Sequence, residues 1–163
     1  MNVLKLHYLL WFGSLAGILP FVQIFAKYYS NASSVDVGFL FTILPFLSIL
    51  FKPIFCSIAD HYSLHKKMLF LFLVITTLGF GLLITLPYIQ FGSYSWYWYC
   101  LLVIIANVSM GIVITLTDSL VMEEVTQKNK SFGSYRLYGT IGWGAFGKTI
   151  QVIHSIKLIF YIL

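Results

Sequence analysis

Residues 142–149 read GWGAFGKT. The stretch fits G-x-x-x-x-G-K-[ST], a loop whose backbone N–H groups cradle nucleotide phosphates, and its first six residues fit the dinucleotide fingerprint G-x-G-x-x-G. A second set of chemically costly residues lies inside apolar sequence: Lys52, Asp118 and the amide Asn107. Ionisable groups so placed are candidates for ion coupling or for lining a polar pathway. Hydrolytic and metal chemistry find no such footing. His7, His61, His65 and His154 do not stand at ligand spacing with acids or cysteines, and neither H-E-x-x-H nor G-x-S-x-G occurs. Glu123 and Glu124 are adjacent at a helix end, so they point in different directions and form no acid–base pair. The chain is therefore read as a non-enzyme without metal or cofactor.

Which chemistry survives depends on the elements that carry these residues. Of 163 residues, 60% are hydrophobic and 9% charged, with a mean hydropathy of +0.91. A soluble domain carries about 25% charged residues. A globule this small could not hide the surplus apolar surface, because small domains bury the lowest fraction of their surface. The natural solvent is lipid, and the lipid bilayer is the first partner. The net charge of +5 is scattered without a basic stripe, which excludes nucleic acid. Cys56 and Cys100 fall in separate apolar runs and define neither a disulfide framework nor a metal site, so they read as small packing residues.

Crossing a bilayer takes about 20 apolar residues. Runs of that kind cover residues 8–26, 37–59, 68–91 and 97–122, and a fifth covers 137–163 with Lys148, His154 and Lys157 in its second half. The first run exceeds a signal-peptide core and is followed closely by further spans, so it reads as uncleaved. The expected fold is an all-α, multi-pass membrane bundle of about five transmembrane helices. Lys5, Lys66, Lys67, Lys128, Lys130 and Arg136 fall on one side of the bilayer and only Lys27 on the other. That asymmetry places the N-terminus in the cytoplasm, in either the plasma membrane or an internal one. Trp96, Tyr97, Trp98 and Tyr99 then form an aromatic belt at the outer interface. Of three sequons, Asn107 lies within a span and Asn129 in a cytoplasmic loop, which leaves Asn31 as the candidate glycosylation site.

The spans carry polar stripes. Asn107, Gly111, Thr115 and Asp118 share one face, and Gly38, Thr42, Pro45, Lys52 and Cys56 share another. Two readings stand: helix–helix contact through small and polar residues, or a water-filled pathway. Lys52 is about eight residues, or roughly 12 Å, from the cytoplasmic end of its span. It either snorkels or pairs across the bundle, with Asp118 as the natural opposite charge. Gly13 and Gly17 form G-x-x-x-G, a close-packing pattern, and Gly139, Gly142, Gly144 and Gly147 make another thin helix surface.

The loop Ala59-Asp60-His61-Tyr62-Ser63-Leu64-His65-Lys66-Lys67 resembles the one between helices 2 and 3 of major facilitator superfamily transporters, Gly-x-x-x-Asp-(Arg/Lys)-x-Gly-x-(Arg/Lys)-(Arg/Lys). Asp60, Lys66 and Lys67 match; Cys56 and Ser63 replace glycines, and His61 and His65 replace basic residues. The segment Phe132-Gly133-Ser-Tyr-Arg136-Leu-Tyr-Gly139-Thr-Ile-Gly142-Trp-Gly144 is similar to the start of helix 5 in the major facilitator superfamily-associated branch, which includes lactose-permease-like and domain-containing-protein-6-like members. Lys52-Pro53 and Asp118 also resemble that branch, and the likeness runs to Gly147, where it is read as ending.

The resemblance implies part of the N-terminal half of a transporter fold of about 12 helices in two halves. It implies alternating access to an unidentified small-molecule substrate, with a proton as candidate co-substrate. Lys52, Asn107, Asp118 and Arg136 become transport or coupling candidates, Arg136 also a cytoplasmic anchor, and Asp60, Lys66 and Lys67 a conformational brace. Independent transport is not expected without the missing half or another chain, and the segment after Gly147 is read as a truncated or altered end. The alternative is a non-transporting receptor or regulator on the same fold. No strand precedes GWGAFGKT, so nucleotide binding is set aside and the glycines are read as helix packing.

Overall fold

The computed structural model describes residues 3–29, 32–86, 94–129 and 131–162, and the side chains of all these except residue 29 and residues 150–162. Five helices follow in order: α1 (Val3–Tyr29), α2 (Ser34–His61), α3 (His65–Leu82, extended by a 3-10 turn Leu83–Thr85), α4 (Ser95–Lys128) and α5 (Gly133–Ile162). No strand occurs among the described residues. The protein is an all-α membrane bundle: α1 to α4 each contain a segment long and apolar enough to cross a bilayer. The run expected over 137–163 lies on α5, mostly beyond the described side chains.

Lipid offers backbone groups no hydrogen-bond partner, so each apolar run closes its own bonds as a helix. The hydroxyls inside the spans solve the same problem by bonding back one turn. Thr76 Oγ1 donates to the Phe72 carbonyl at 2.7 Å and Thr42 Oγ1 to that of Gly38 at 2.8 Å. α2 starts on a capping box: the Asp36 N–H donates to Ser33 Oγ at 3.2 Å, and the Ser33 N–H to the Asp36 carboxylate at 3.2 Å. At the far end of α4, Lys128 donates to Glu124 one turn back at 2.6 Å, which holds its ammonium above the usual lysine range.

The chain divides into two compact bodies, residues 1–22 with 121–163, and residues 23–120. In the first, Tyr8, Val121 and Tyr135 are buried, with Leu4, Phe12, Val125, Phe132 and Tyr138 packed around them. The seam between α1 and α5 is built on absent side chains. A Cβ on Gly139 would meet Phe12 Cδ2 at 2.9 Å and Tyr8 Cδ1 at 3.3 Å. One on Gly142 would strike the Leu9 carbonyl oxygen, and one on Gly13 would meet Phe146 Cδ2 at 2.7 Å. Contacts rise together in both helices, from Tyr8–Gly139 through Leu9–Gly142 and Gly13–Phe146 to Ala16–Gly147, so α1 and α5 run parallel. Two odd-numbered spans of an alternating chain must do so. Gly144 takes no part: nothing lies within 4 Å of its Cβ position, because two residues along a helix turn it about 200° from Gly142.

In the second body, α3 meets α4 where a Cβ on Gly79 would stand 2.8 Å from that of Ala106. Phe55 of α2 meets Phe72 of α3 edge-on, with centroids 5.0 Å apart. The expected aromatic belt divides. Tyr97 is 69% exposed, whereas Tyr99 is fully buried and stacks on Trp96. Consecutive helical residues step by about 100°, so four aromatics in a row cannot all face lipid.

This seam makes two adjacent glycines inequivalent. Gly142→Ala is expected to destabilise the purified protein by about 1–3 kcal/mol, since the Leu9 backbone cannot swing aside as a side chain would. Gly144→Ala should stay within about 0.5 kcal/mol of the parent. Unfolding titrations in detergent compare the two; equal effects would refute the seam.

Candidate functional site

Arg136, Thr140 and Trp143 stand at i, i+4 and i+7 on the first three turns of α5, and so share one face. Because Gly139 has no side chain, the Phe12 ring of α1 closes in beside them. These five residues line a cavity of about 460 Å³ within the first body. The guanidinium carbon of Arg136 lies 5.5 Å from the Phe132 ring centroid, a cation–π contact. The cavity therefore sets an arginine and a hydroxyl beside two aromatic surfaces. Few polar groups set among apolar walls are the usual makeup of a small-molecule site. Sequence reasoning singled out Arg136 and missed Phe12, Thr140 and Trp143. The two on α5 were findable from their spacing to Arg136; Phe12 was not, because it arrives from another helix.

Lys52 is half-buried in the second body. Its stem lies in a notch on α4: a Cβ on Gly111 would stand 2.5 Å from Lys52 Cε, 3.3 Å from Nζ and 3.4 Å from Ser48 Oγ. The notch floor is reinforced by Thr115, whose Oγ1 donates to the Gly111 carbonyl at 3.0 Å. Lys52 makes no ion pair among the described residues, so it is not paired with Asp118, which lies seven residues, or about 10 Å, further along α4. Asn107, Thr115 and Asp118 are all partly buried. The two stripes differ in kind: α2 presents Ser48 and Lys52 to Gly111, while Gly38, Thr42 and Pro45 are exposed.

The loop joining α2 to α3 has a definite geometry. The Leu64 N–H donates to the Ala59 carbonyl at 2.9 Å and the Ser63 N–H to that of Asp60 at 3.3 Å, with Ser63 at φ 53°. This is a Schellman end, which places the residue after the helix cap in the left-handed region. A glycine is usual at that point, and Ser63 occupies it. Asp60 at the end of α2 and His65 at the start of α3 approach to 3.5 Å. Each opposes its own helix dipole when charged, and each offsets the other. Lys66 and Lys67 are exposed beside them. Asn31 and Lys130 lie outside the described residues.

GWGAFGKT is uninterrupted helix within α5. Thr149 Oγ1 bonds back to the Ala145 carbonyl at 2.9 Å and Lys148 is exposed. Helical N–H groups already bonded one turn back cannot cradle a phosphate.

A bundle of apolar helices packed on glycines defines a multi-pass membrane protein. The chain matches the MFS_1 like family over residues 1–157 and belongs to it. It is similar to a maltose permease of Geobacillus stearothermophilus, 23% identical over 87% of this chain and 34% of the relative. It is 26% identical to an uncharacterized transporter, YwbF, of Bacillus subtilis over 96% of this chain and 39% of the relative. A lactose permease of Klebsiella oxytoca is 22% identical over 87% and 34%. The chain thus spans between 34% and 39% of the length of these relatives. No solved structure matches it. The family match corrects the expected lapse after Gly147, since it continues to residue 157. α5 likewise carries on unbroken past Gly147 through Ile162.

The Schellman end gives a direct test. Ser63→Gly should raise stability by about 1 kcal/mol, the lower end of the cost of a left-handed conformation in a residue with a Cβ. A midpoint shift in chemical unfolding reads it; a loss of stability would mean that Ser63 is held by something other than the turn.

Proposed function

We propose that the complete protein is a secondary active transporter for a small polyhydroxylated solute, working by alternating access. The Arg136–Trp143 cavity carries the reading. Hydroxyl-rich solutes are bound through directional donors and through stacking of their C–H faces on aromatic rings, and the cavity supplies Arg136, Thr140, Trp143 and Phe12 for both. The names of two relatives, a maltose permease and a lactose permease, support a sugar-class solute. Asp118 is the candidate carrier of a coupling proton, and Lys52 the fixed charge that tunes the pathway; membrane-embedded ionisable groups are costly enough to require a use. Asp60, with Lys66 and Lys67, is the brace that locks one conformation. The N-terminus faces the cytoplasm on the lysine and arginine asymmetry. Because the relatives are about two and a half times as long, another half or another chain completes the pathway.

The reading predicts proton-gradient-driven uptake of maltose or lactose into liposomes holding the complete protein. Arg136→Lys should cut uptake by at least about tenfold, since a lysine cannot reproduce the planar fork. Trp143→Ala should do the same, and Trp143→Phe much less. Sugar binding without flux under any ion gradient would replace the transporter with a receptor, and normal uptake by Arg136→Lys would remove the cavity from the solute path.

The notch in α4 yields a second expectation. Gly111→Ala displaces the flexible end of Lys52 rather than backbone, so it should leave the fold intact while reproducing the transport defect of Lys52→Met. Normal transport in both variants would remove Lys52 from the coupling path.

A further inference from the structure

Lys5 is not explained by the helix that carries it. It is the third residue of α1, where a positive charge opposes the helix dipole. Its Nζ lies 5.2 Å from the ring centroid of Tyr135 and 5.0 Å from that of Tyr138. Tyr135 is fully buried and Tyr138 is half-buried against the same cluster. A cation over aromatic faces is held more strongly as water is excluded. The two rings flank Arg136 in sequence, and the following contacts of α1 with α5 run through Tyr8, Leu9 and Phe12, the last being a wall of the cavity.

We propose that Lys5 is a positioning residue for the Arg136–Trp143 cavity. The two tyrosines clamp its ammonium, and the clamp fixes where α1 lies along the start of α5. That register sets how far the Phe12 ring stands from Trp143 and Thr140, and so the width of the cavity mouth. The role in transport rests on reading the cavity as a solute site; the clamp itself is a matter of geometry and is tested without solute.

A Cβ on Gly147 would stand 3.7 Å from that of Ala16, inside the range of about 3.5–4.5 Å that a disulfide requires. The pair Ala16→Cys and Gly147→Cys, in the full chain with Cys56→Ser and Cys100→Ser, reports the register through its rate of oxidative cross-linking in membranes. Lys5→Met and Tyr138→Leu should each slow that rate by about fivefold, whereas Lys5→Arg and Tyr138→Phe, which keep the cation and the ring, should stay within about twofold. In a separate chain, Thr140→Cys should be labelled several-fold faster by N-ethylmaleimide when Lys5 is Met, and at the parental rate when it is Arg. Unchanged cross-linking and labelling in Lys5→Met, or an Arg variant as impaired as the Met variant, would overturn the proposal. A failure of sugar uptake alone would remove the solute reading and leave the cross-linking result standing.

Discussion

Lipid neither bonds to the backbone nor drives apolar surfaces together, and the rest of this structure follows from those two facts. The first forces continuous helices and turns threonine hydroxyls back on their own carbonyls. The second means that helices associate through contact energy, which falls off steeply with distance. Close approach therefore has to be built in. In the first body it is built by Gly13, Gly139 and Gly142, each facing a side chain or carbonyl that a Cβ would displace. In the second it is built by Gly79 against Ala106 and by Gly111 against Lys52. A soluble core of the same size could gain more from filling such positions with leucine, because there the burial of apolar area is itself favourable.

Charges obey a different logic from packing. His65, Lys66 and Lys67 crowd the first turn of α3, and Lys5 sits in the first turn of α1, all positions where a helix prefers acids. Local helix stability is not what placed them. In membrane proteins generally a lysine-rich side sets orientation, a benefit larger than a few tenths of a kcal/mol lost at each helix end. The structure then recovers part of the loss. Asp60 comes to 3.5 Å from His65, and the Tyr135 and Tyr138 rings receive Lys5. The family resemblance of the α2–α3 loop has a physical core too, because the glycine of its pattern falls on Ser63, whose φ of 53° is what a Schellman end demands.

The bundle and its spans were legible because apolar runs of about 20 residues have few alternatives to membrane helices. Arg136, Lys52 and Asp118 were legible as candidates because charge near lipid is conspicuous. What the sequence hides is azimuth. Gly142 and Gly144 look alike in GWGAFGKT, yet one meets the Leu9 carbonyl and the other meets nothing within 4 Å. The same blindness made Trp96 to Tyr99 look like one belt, although Tyr99 is buried. It left Lys52 either to snorkel or to pair with Asp118, whereas the structure seats Lys52 on a glycine. Partners from distant segments, such as Phe12 beside Thr140, leave no trace in local spacing.

Gly139 joins the packing problem to the functional one. Its missing side chain admits the Phe12 ring, with Cδ2 2.9 Å from where a Cβ would stand, and that ring then forms a wall of the cavity beside Arg136 and Trp143. A cavity assembled this way cannot change width without the seam changing, since Gly139 and Phe12 both pack the helices and line the cavity. Rigid helices rocking about such a contact would transmit motion to the cavity directly, with no loop required to move. Gly139 stands three residues before the stretch that first suggested a phosphate loop, and Gly142 within that stretch meets the Leu9 carbonyl; both serve the same α1–α5 seam, and Gly139 decides how closely an aromatic wall can approach an arginine.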